Sequence, residues 1–596
     1  MDAGAREKVF QVSSREAGQA TLARLLGDLS VRREVTLVLL ACLVGVLAGS
    51  GATLMSVTAH AMHQSFFHTG PGGFLSATPS LTSAWMFFLP AVGGLILGLY
   101  ALVVKRFRPR PVTDPIEANA LEGGRMSLLD SVILSSQTVI GNGFGASVGM
   151  EAGYTQWGSG IASAIGQKLG LRRSDLRVLV GCGAAGGIAA AFHAPLAGAF
   201  YAFELIIGIY AIPHVAPVLA AALLGYLSAQ ALGVVGTPII IPQVPQVVPG
   251  DYLLFILLGL IGAALAILIM RTMTLVEQGF SRSGIPQPLR PVVGGLIVGA
   301  LALVSPQVLA SGESAIHIQV HSTVTLAVAG ILVLKVLAAA CSLGSGFRGG
   351  LFSAALFLGS LMGKLFAGAL AVLAPALHVE PVIAAVVGMA ALAVGIVGGP
   401  MTMTFLVLEA TSNLAITGLV LVAAIACSLT VRLAFGYSFS TWRMHLRGES
   451  IRGAQDVGVL RDLTVARLMR ADPPVFPAHG TIGDLRARFA EGGSRVVVLS
   501  DAAGGYAGLV RMLMTLNAPP DAPASTLAIC PDRVLRPDMN VQEALGLFDG
   551  AGTPVLAALD AAGAIVGVLD EADALHAYAQ ALEAQRRSLA GEEPGR

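Results

Sequence analysis

Three glutamates stand inside apolar stretches of the chain: Glu151, Glu204 and Glu409. An acidic side chain at membrane depth costs about 2.5–3.5 kcal/mol on insertion scales, so each needs a reason to be there. Glu151 lies in a glycine-rich interruption, Gly141–Gly160, and is a functional candidate by default; the alternative is a protonated side chain bonded to backbone. Glu204 and Glu409 each end a Pro-x8-Glu unit, which favours a structural role as acceptors for the free N–H groups of a neighbouring broken helix. Three breaks directly precede helices: Thr113–Ile116, Gly145–Glu151 and Gly344–Phe352. A helix start carries roughly half a positive charge and binds anions without needing Lys or Arg. Such a site releases its ion again, as conduction requires. Arg348, inside the third break, either raises the local anion concentration or snorkels to the aqueous edge. His193, beside Pro195, reads as a satisfied helix-start residue, with no second His or Cys at ligand spacing. No His-Glu-x-x-His and no Walker loop occurs, so the chain does not read as an enzyme and no metal is expected.

The elements that position these groups are apolar and interrupted. Of 596 residues, 55% are hydrophobic and 12% charged, with mean hydropathy +0.75. Soluble globular chains carry about 25% charged residues. Charge concentrates in 449–596, with 19 acids and 13 arginines, net −6, against +7 for 1–448. A polytopic membrane domain followed by an acidic soluble domain accounts for this, and no basic run suggests nucleic acid. The five cysteines form neither a disulfide framework nor a zinc pattern. The N-terminus lacks the apolar core of a cleavable signal peptide.

Apolar segments run near 35–58, 83–104, 126–148, 154–169, 176–210, 213–235, 252–275, 289–305, 323–343, 351–377, 381–397, 401–410 and 413–435. Several fall short of the roughly 20 residues that a span needs. Broken helices at membrane depth point to an ion or substrate site. Pro195–Glu204 and Pro400–Glu409 match at an offset of 205, and Gly149–Ser159 and Gly350–Ser360 at 201, which indicates a duplicated membrane unit. In the tail, helix Thr481–Phe489 with strands Val496–Leu499 and Gly508–Val510 is repeated as helix Val541–Phe548 with strands Pro554–Leu559 and Ile565–Leu569. That is a paired α/β module.

The runs Gly149-Met150-Glu151-Ala152-Gly153, Gly181–Gly187 with Ala194-Pro195-Leu196-Ala197-Gly198, and Gly344–Phe352 resemble the CLC family of chloride channels and chloride/proton exchangers over roughly residues 30–447. The tail resembles a pair of CBS domains. The resemblance implies two inverted halves per subunit, a homodimer with one anion pathway per subunit, and cytoplasmic termini. It places Glu151 on the gating glutamate and Leu351 and Phe352 on the residues whose N–H groups hold the anion. Of the family's Gly-Arg-Glu-Gly-Pro motif, only Gly149 and Glu151 are kept. The first filter motif is here Pro111-Val112-Thr113-Asp114-Pro115, with Val112 on the coordinating serine and Thr113 as an alternative hydroxyl. Ser440 falls on the coordinating tyrosine, which opens the inner mouth. Leu205 stands where exchangers often carry a second, proton-relaying glutamate. In the tail, Asp573 falls on an element that contacts ribose in adenine-nucleotide sites; the alternative is a helix N-cap.

The expected fold is thus an all-α polytopic membrane domain of two inverted repeats with broken helices, followed by a soluble α/β CBS pair. The expected boundaries are a cytoplasmic segment 1–34, a transport domain 35–447, CBS domains 448–517 and 518–580, and a polar tail 581–596. The expected function is passive, voltage- or pH-gated chloride conduction across a bacterial inner membrane, the alternative being a weakly coupled chloride/proton antiporter. A magnesium channel would need an oxygen-rich carboxylate cluster, whereas the three glutamates are far apart in sequence.

Overall fold

The computed structural model describes residues 3–70, 73–78, 80, 81, 83–108, 112–234, 247–377, 379–447, 463–489 and 495–590. They fall into two compact units, Met1–Asp456 and Val457–Arg596.

The first unit is helical throughout: α1 (Ala3–Phe67), α2 (Leu89–Phe107), α3 (Pro115–Leu121), α4 (Leu128–Gly143), α5 (Glu151–Lys168), α6 (Arg173–Phe192), α7 (Pro195–Tyr201), α8 (Ile212–Ala231), α9 (Pro249–Arg282), α10 (Arg290–Val304), α11 (Glu313–His321), α12 (Leu326–Ser345), α13 (Phe352–Leu373), α14 (Pro381–Val397), α15 (Pro400–Thr411), α16 (Leu414–Ala434) and α17 (Phe439–Leu446). Among the described residues, nine helical stretches are long and apolar enough to cross a bilayer. Breaks follow local chemistry. Proline, which lacks the N–H that a first helical turn leaves free, opens α3, α7, α14 and α15. Left-handed residues end α12 at Gly346 (φ 113°) and α14 at Gly398 (φ 91°).

The apolar run 176–210 is divided at His193, which closes α6 in the left-handed region (φ 53°). His193 therefore ends a helix instead of starting one, and its Nδ1 is buried without a hydrogen-bond partner among the described residues. After α7 the helix widens into a π turn, Ala202–Ile207, that carries Glu204 and Leu205.

The duplication is visible in the packing. Gly149 and Gly350 pair as an antiparallel bridge, each N–H donating to the other's carbonyl at 3.0 Å. Gly158 of α5 lies so close to Gly183 of α6 that a Cβ on either would reach the other's carbonyl oxygen at 2.1 Å. Gly359 of α13 and Gly388 of α14 repeat that contact at 2.4 and 2.5 Å. Small residues allow this backbone approach where lipid gives no hydrophobic drive for helix association. The carboxylates of the two Pro-x8-Glu units cross between the halves. Glu204 accepts from the N–H groups of Met401 and Thr402 at 2.9 Å and from the Thr402 hydroxyl at 2.6 Å. Glu409 accepts from the N–H groups of Leu196 and Ala197 at 2.8 and 2.9 Å. Each acid thereby caps the helix start of the opposite unit.

The second unit contains α18 (Val465–Leu468), β1 (Val475–Pro477), α19 (Ile482–Phe489), β2 (Val496–Ser500), β3 (Tyr506–Arg511), α20 (Met512–Thr515), α21 (Val541–Phe548), β4 (Val555–Leu559), β5 (Ile565–Asp570) and α22 (Glu571–Ala590). β1 runs parallel to β2, and β2–β3 and β4–β5 are antiparallel. Val498, Leu509, Leu556 and Leu569 share one apolar core, so the two α-β-β halves form a single soluble-type α/β body. Asp570, not Asp573, caps α22, accepting the Ala572 N–H at 2.9 Å. Asp573 pairs with Arg470 at 3.0 Å.

Candidate anion pathway

Glu151 is the first residue of α5, held there by the Gly149–Gly350 bridge. Its side chain is 3% exposed and crosses to the other half, where Oε1 accepts the Ser353 N–H at 2.5 Å. Oε2 is buried with no hydrogen-bond partner among the described residues. The carboxylate lies in a slot that two glycines leave open: a Cβ on Gly149 would stand 2.0 Å from Oε2, and one on Gly350 2.8 Å from it. An acid thus occupies the positive end of a 22-residue helix, where an anion is favoured. Leu351, the N-cap of α13, and Phe352, its first residue, flank the same point. Sequence spacing did not single out Ser353, whose N–H depends on the phase at which α13 begins.

Glu151 opens onto a cavity of about 430 Å³ that Val112, Leu351, Phe352 and Ser440 also line. Five of the six residues expected at the gate or on the anion therefore line one cavity. The sixth, Thr113, does not reach the wall; its carbonyl accepts from Gln156 Nε2 at 3.1 Å. Its neighbours Val112 and Asp114 line the cavity on either side of it, as alternation along extended backbone requires. Pro111 lies outside the described residues. Ser440 is the second residue of α17, behind the Ser438–Thr441 capping box. Away from Glu151 the wall turns polar, with Thr274, Glu277 and Gln278 of α9, Arg443 of α17 and Arg447 at its C-cap. Arg348 lines the cavity as well, and its side chain is exposed into it.

Asp114 and Tyr201 were not singled out as lining residues. Asp114 caps α3, accepting the Ile116 N–H at 2.8 Å. The break expected to offer free N–H groups at Thr113–Ile116 is therefore already occupied by the chain's own carboxylate. The Tyr201 ring stands 6.2 Å from that of Phe352. Leu205 is 9% exposed and does not line the cavity, and both oxygens of Glu204 are engaged by α15. Among the described residues, further buried charges of the membrane unit donate to carbonyls: Arg177 to Ile207, Lys335 to Val308 and Ala310, and Lys364 to Gln319 and Ser322.

The sequence profile of the voltage-gated chloride channel family matches residues 99–432. The chain belongs to that family. A ClcB-like protein of Ralstonia nicotianae is 32% identical over 344 residues, covering 56% of this chain and 80% of that protein. The voltage-gated ClC-type chloride channel ClcB of Citrobacter koseri is 28% identical over 403 residues, covering 66% of this chain and 95% of that protein. Among solved structures, a slow cyanobacterial Cl−/H+ antiporter shares the fold, with a TM-score of 0.60 over 69% of this chain and 97% of its own, at 21% identity. The first unit is accordingly a multi-pass membrane domain for chloride transport of the CLC type.

Proposed function

We propose that the protein is a passive chloride channel gated by Glu151, in response to voltage or pH, with no enzymatic step. In this reading Glu151 competes with the anion for the start of α13. When it leaves, the N–H groups of Leu351 and Phe352 receive chloride. Val112 gives an apolar wall, and Ser440 gives a small hydroxyl that widens the inner mouth. The channel works as a homodimer in a bacterial inner membrane, with cytoplasmic termini. The C-terminal unit acts as a CBS pair that modulates flux, with an adenine nucleotide near Asp573 as its candidate ligand.

The observation that carries the channel reading is an asymmetry. Glu151 is seated in the cavity, whereas no acid stands at Leu205 to feed it a proton and both oxygens of Glu204 are hydrogen-bonded to α15. Exchange needs such a feed, while a channel needs only shallow, reversible sites. The test is the reversal potential of purified protein in liposomes under opposed chloride and pH gradients. A value that follows chloride alone is expected. A value that moves with the proton gradient at a fixed chloride-to-proton ratio refutes the channel reading and favours the antiporter.

A further inference from the structure

Asp114 is an unexpected lining group, because a carboxylate on the wall of an anion pathway repels what the pathway carries. The only hydrogen bond to its carboxylate among the described residues is from the Ile116 N–H, at Oδ1. The nearby cations do not cancel it by direct pairing. Arg447 is bonded to Glu117 at 3.3 Å and Arg443 faces Glu277 at 3.6 Å. Both arginines still act on Asp114 through space. Tyr201 lines the same cavity as Asp114 and Glu151. Arg348 completes the set of charges on this wall. Along the described lining, the carboxylates are Glu151, Asp114 and Glu277, and Glu277 has Arg443 beside it.

We propose that Asp114 is a second carboxylate gate in series with Glu151. Ionised, it opposes the anion on its way between the α17 end of the cavity and the start of α13; protonated, it lets the anion pass. This rests on the chloride-transport reading above. It gives the pathway two titrating barriers, one contributed at the start of α5 and the other just ahead of α3.

The test is chloride efflux from liposomes over about pH 4.5–7.5, a range that spans ordinary and burial-shifted carboxyl groups. Wild type, D114N, E151Q and the double variant are compared. Asparagine is as good an N-cap as aspartate, so D114N keeps the α3 start. Monodispersity in detergent checks that each variant folds, and D114A reports the loss of the cap separately. A like charge at several ångströms, partly screened by two arginines, corresponds to about a tenfold effect. D114N is therefore expected to raise flux about tenfold at pH 7.5. E151Q is expected to keep a residual acid activation that the double variant lacks. A D114N profile that superimposes on wild type, with the double variant superimposing on E151Q, overturns the proposal alone. A folded wild type that moves no chloride overturns the transport reading, and this proposal with it.

Discussion

Neutralising Glu151 is the most direct perturbation of the proposed gate, and its size follows from one contact. The seated carboxylate takes the Ser353 N–H at 2.5 Å. A hydrogen bond to a charged group contributes about 1.5–3 kcal/mol, against about 1 kcal/mol for a neutral one. Glu151→Ala removes the whole contact, so the unblocked population should rise roughly 10- to 150-fold. Glu151→Gln keeps a neutral acceptor and should rise only about 2- to 30-fold. The orphaned Oε2 already weakens the seat, which puts both values toward their lower ends. Protonation has the same sense as Glu151→Gln, so wild-type flux should climb as pH falls, and both variants should lose the component of that climb that belongs to Glu151. The assay is chloride efflux from liposomes at about pH 4.5–7.5, with protein amount matched. Superimposed profiles for wild type and Glu151→Ala would show that the Ser353 contact does not limit the flux.

Gly149→Ala should act like Glu151→Ala without touching the acid, because its Cβ would fall 2.0 Å from Oε2 and push the carboxylate off its seat; a wild-type pH profile of efflux in a folded Gly149→Ala protein would dismiss the slot. Glu204→Ala and Glu409→Ala should instead cost stability, about 1.5–3 kcal/mol for each charge-assisted bond lost, read as earlier thermal unfolding in detergent. Their reversal potentials should match wild type, and a shifted potential in Glu204→Ala would return that residue to the proton route.

How much of this was legible in the sequence depended on the kind of signal. α21 appears at its true bounds, Val541–Phe548, because period and capping agree there. β2 and β3 were legible from short apolar runs, whereas β1, three residues ending in proline, carries too little pattern. α3 and α11 are short and carry polar residues, so hydropathy passes over them. Hydropathy runs across the α6–α7 break because apolar residues continue through His193, and only Pro195 marks the new start. The Glu204 and Glu409 caps could be anticipated because the repeat puts each acid at the same place in its unit. Asp114, Tyr201 and Ser353 could not, since facing the cavity depends on helix phase and on the distant segments that meet there.

The repeat explains why the pathway holds one acid at this point and not two. The offset of 201 that aligns Gly149 with Gly350 also aligns Glu151 with Phe352. The scaffold is used symmetrically: glycine pairs at both helix crossings, a shared Gly149–Gly350 bridge, and carboxylates exchanged between the Pro-x8-Glu units. The chemistry at the bridge is not symmetric. One half supplies the acceptor, Glu151, and the other supplies the donor, the start of α13 at Phe352–Ser353. An acid at both positions would set two carboxylates side by side at a cost of about 4 kcal/mol at an effective dielectric of 20. One would have to stay protonated, and neither could act as a freely exchanging substitute for chloride. With an aromatic at 352, packed 4.6 Å from the Phe192 ring, the helix start carries no acid of its own. In the proposed channel, Glu151 and an anion then compete for it. Duplication supplied two equivalent helix starts, and the divergence of a single matched pair placed the acid of one, the proposed gate, on the start of the other.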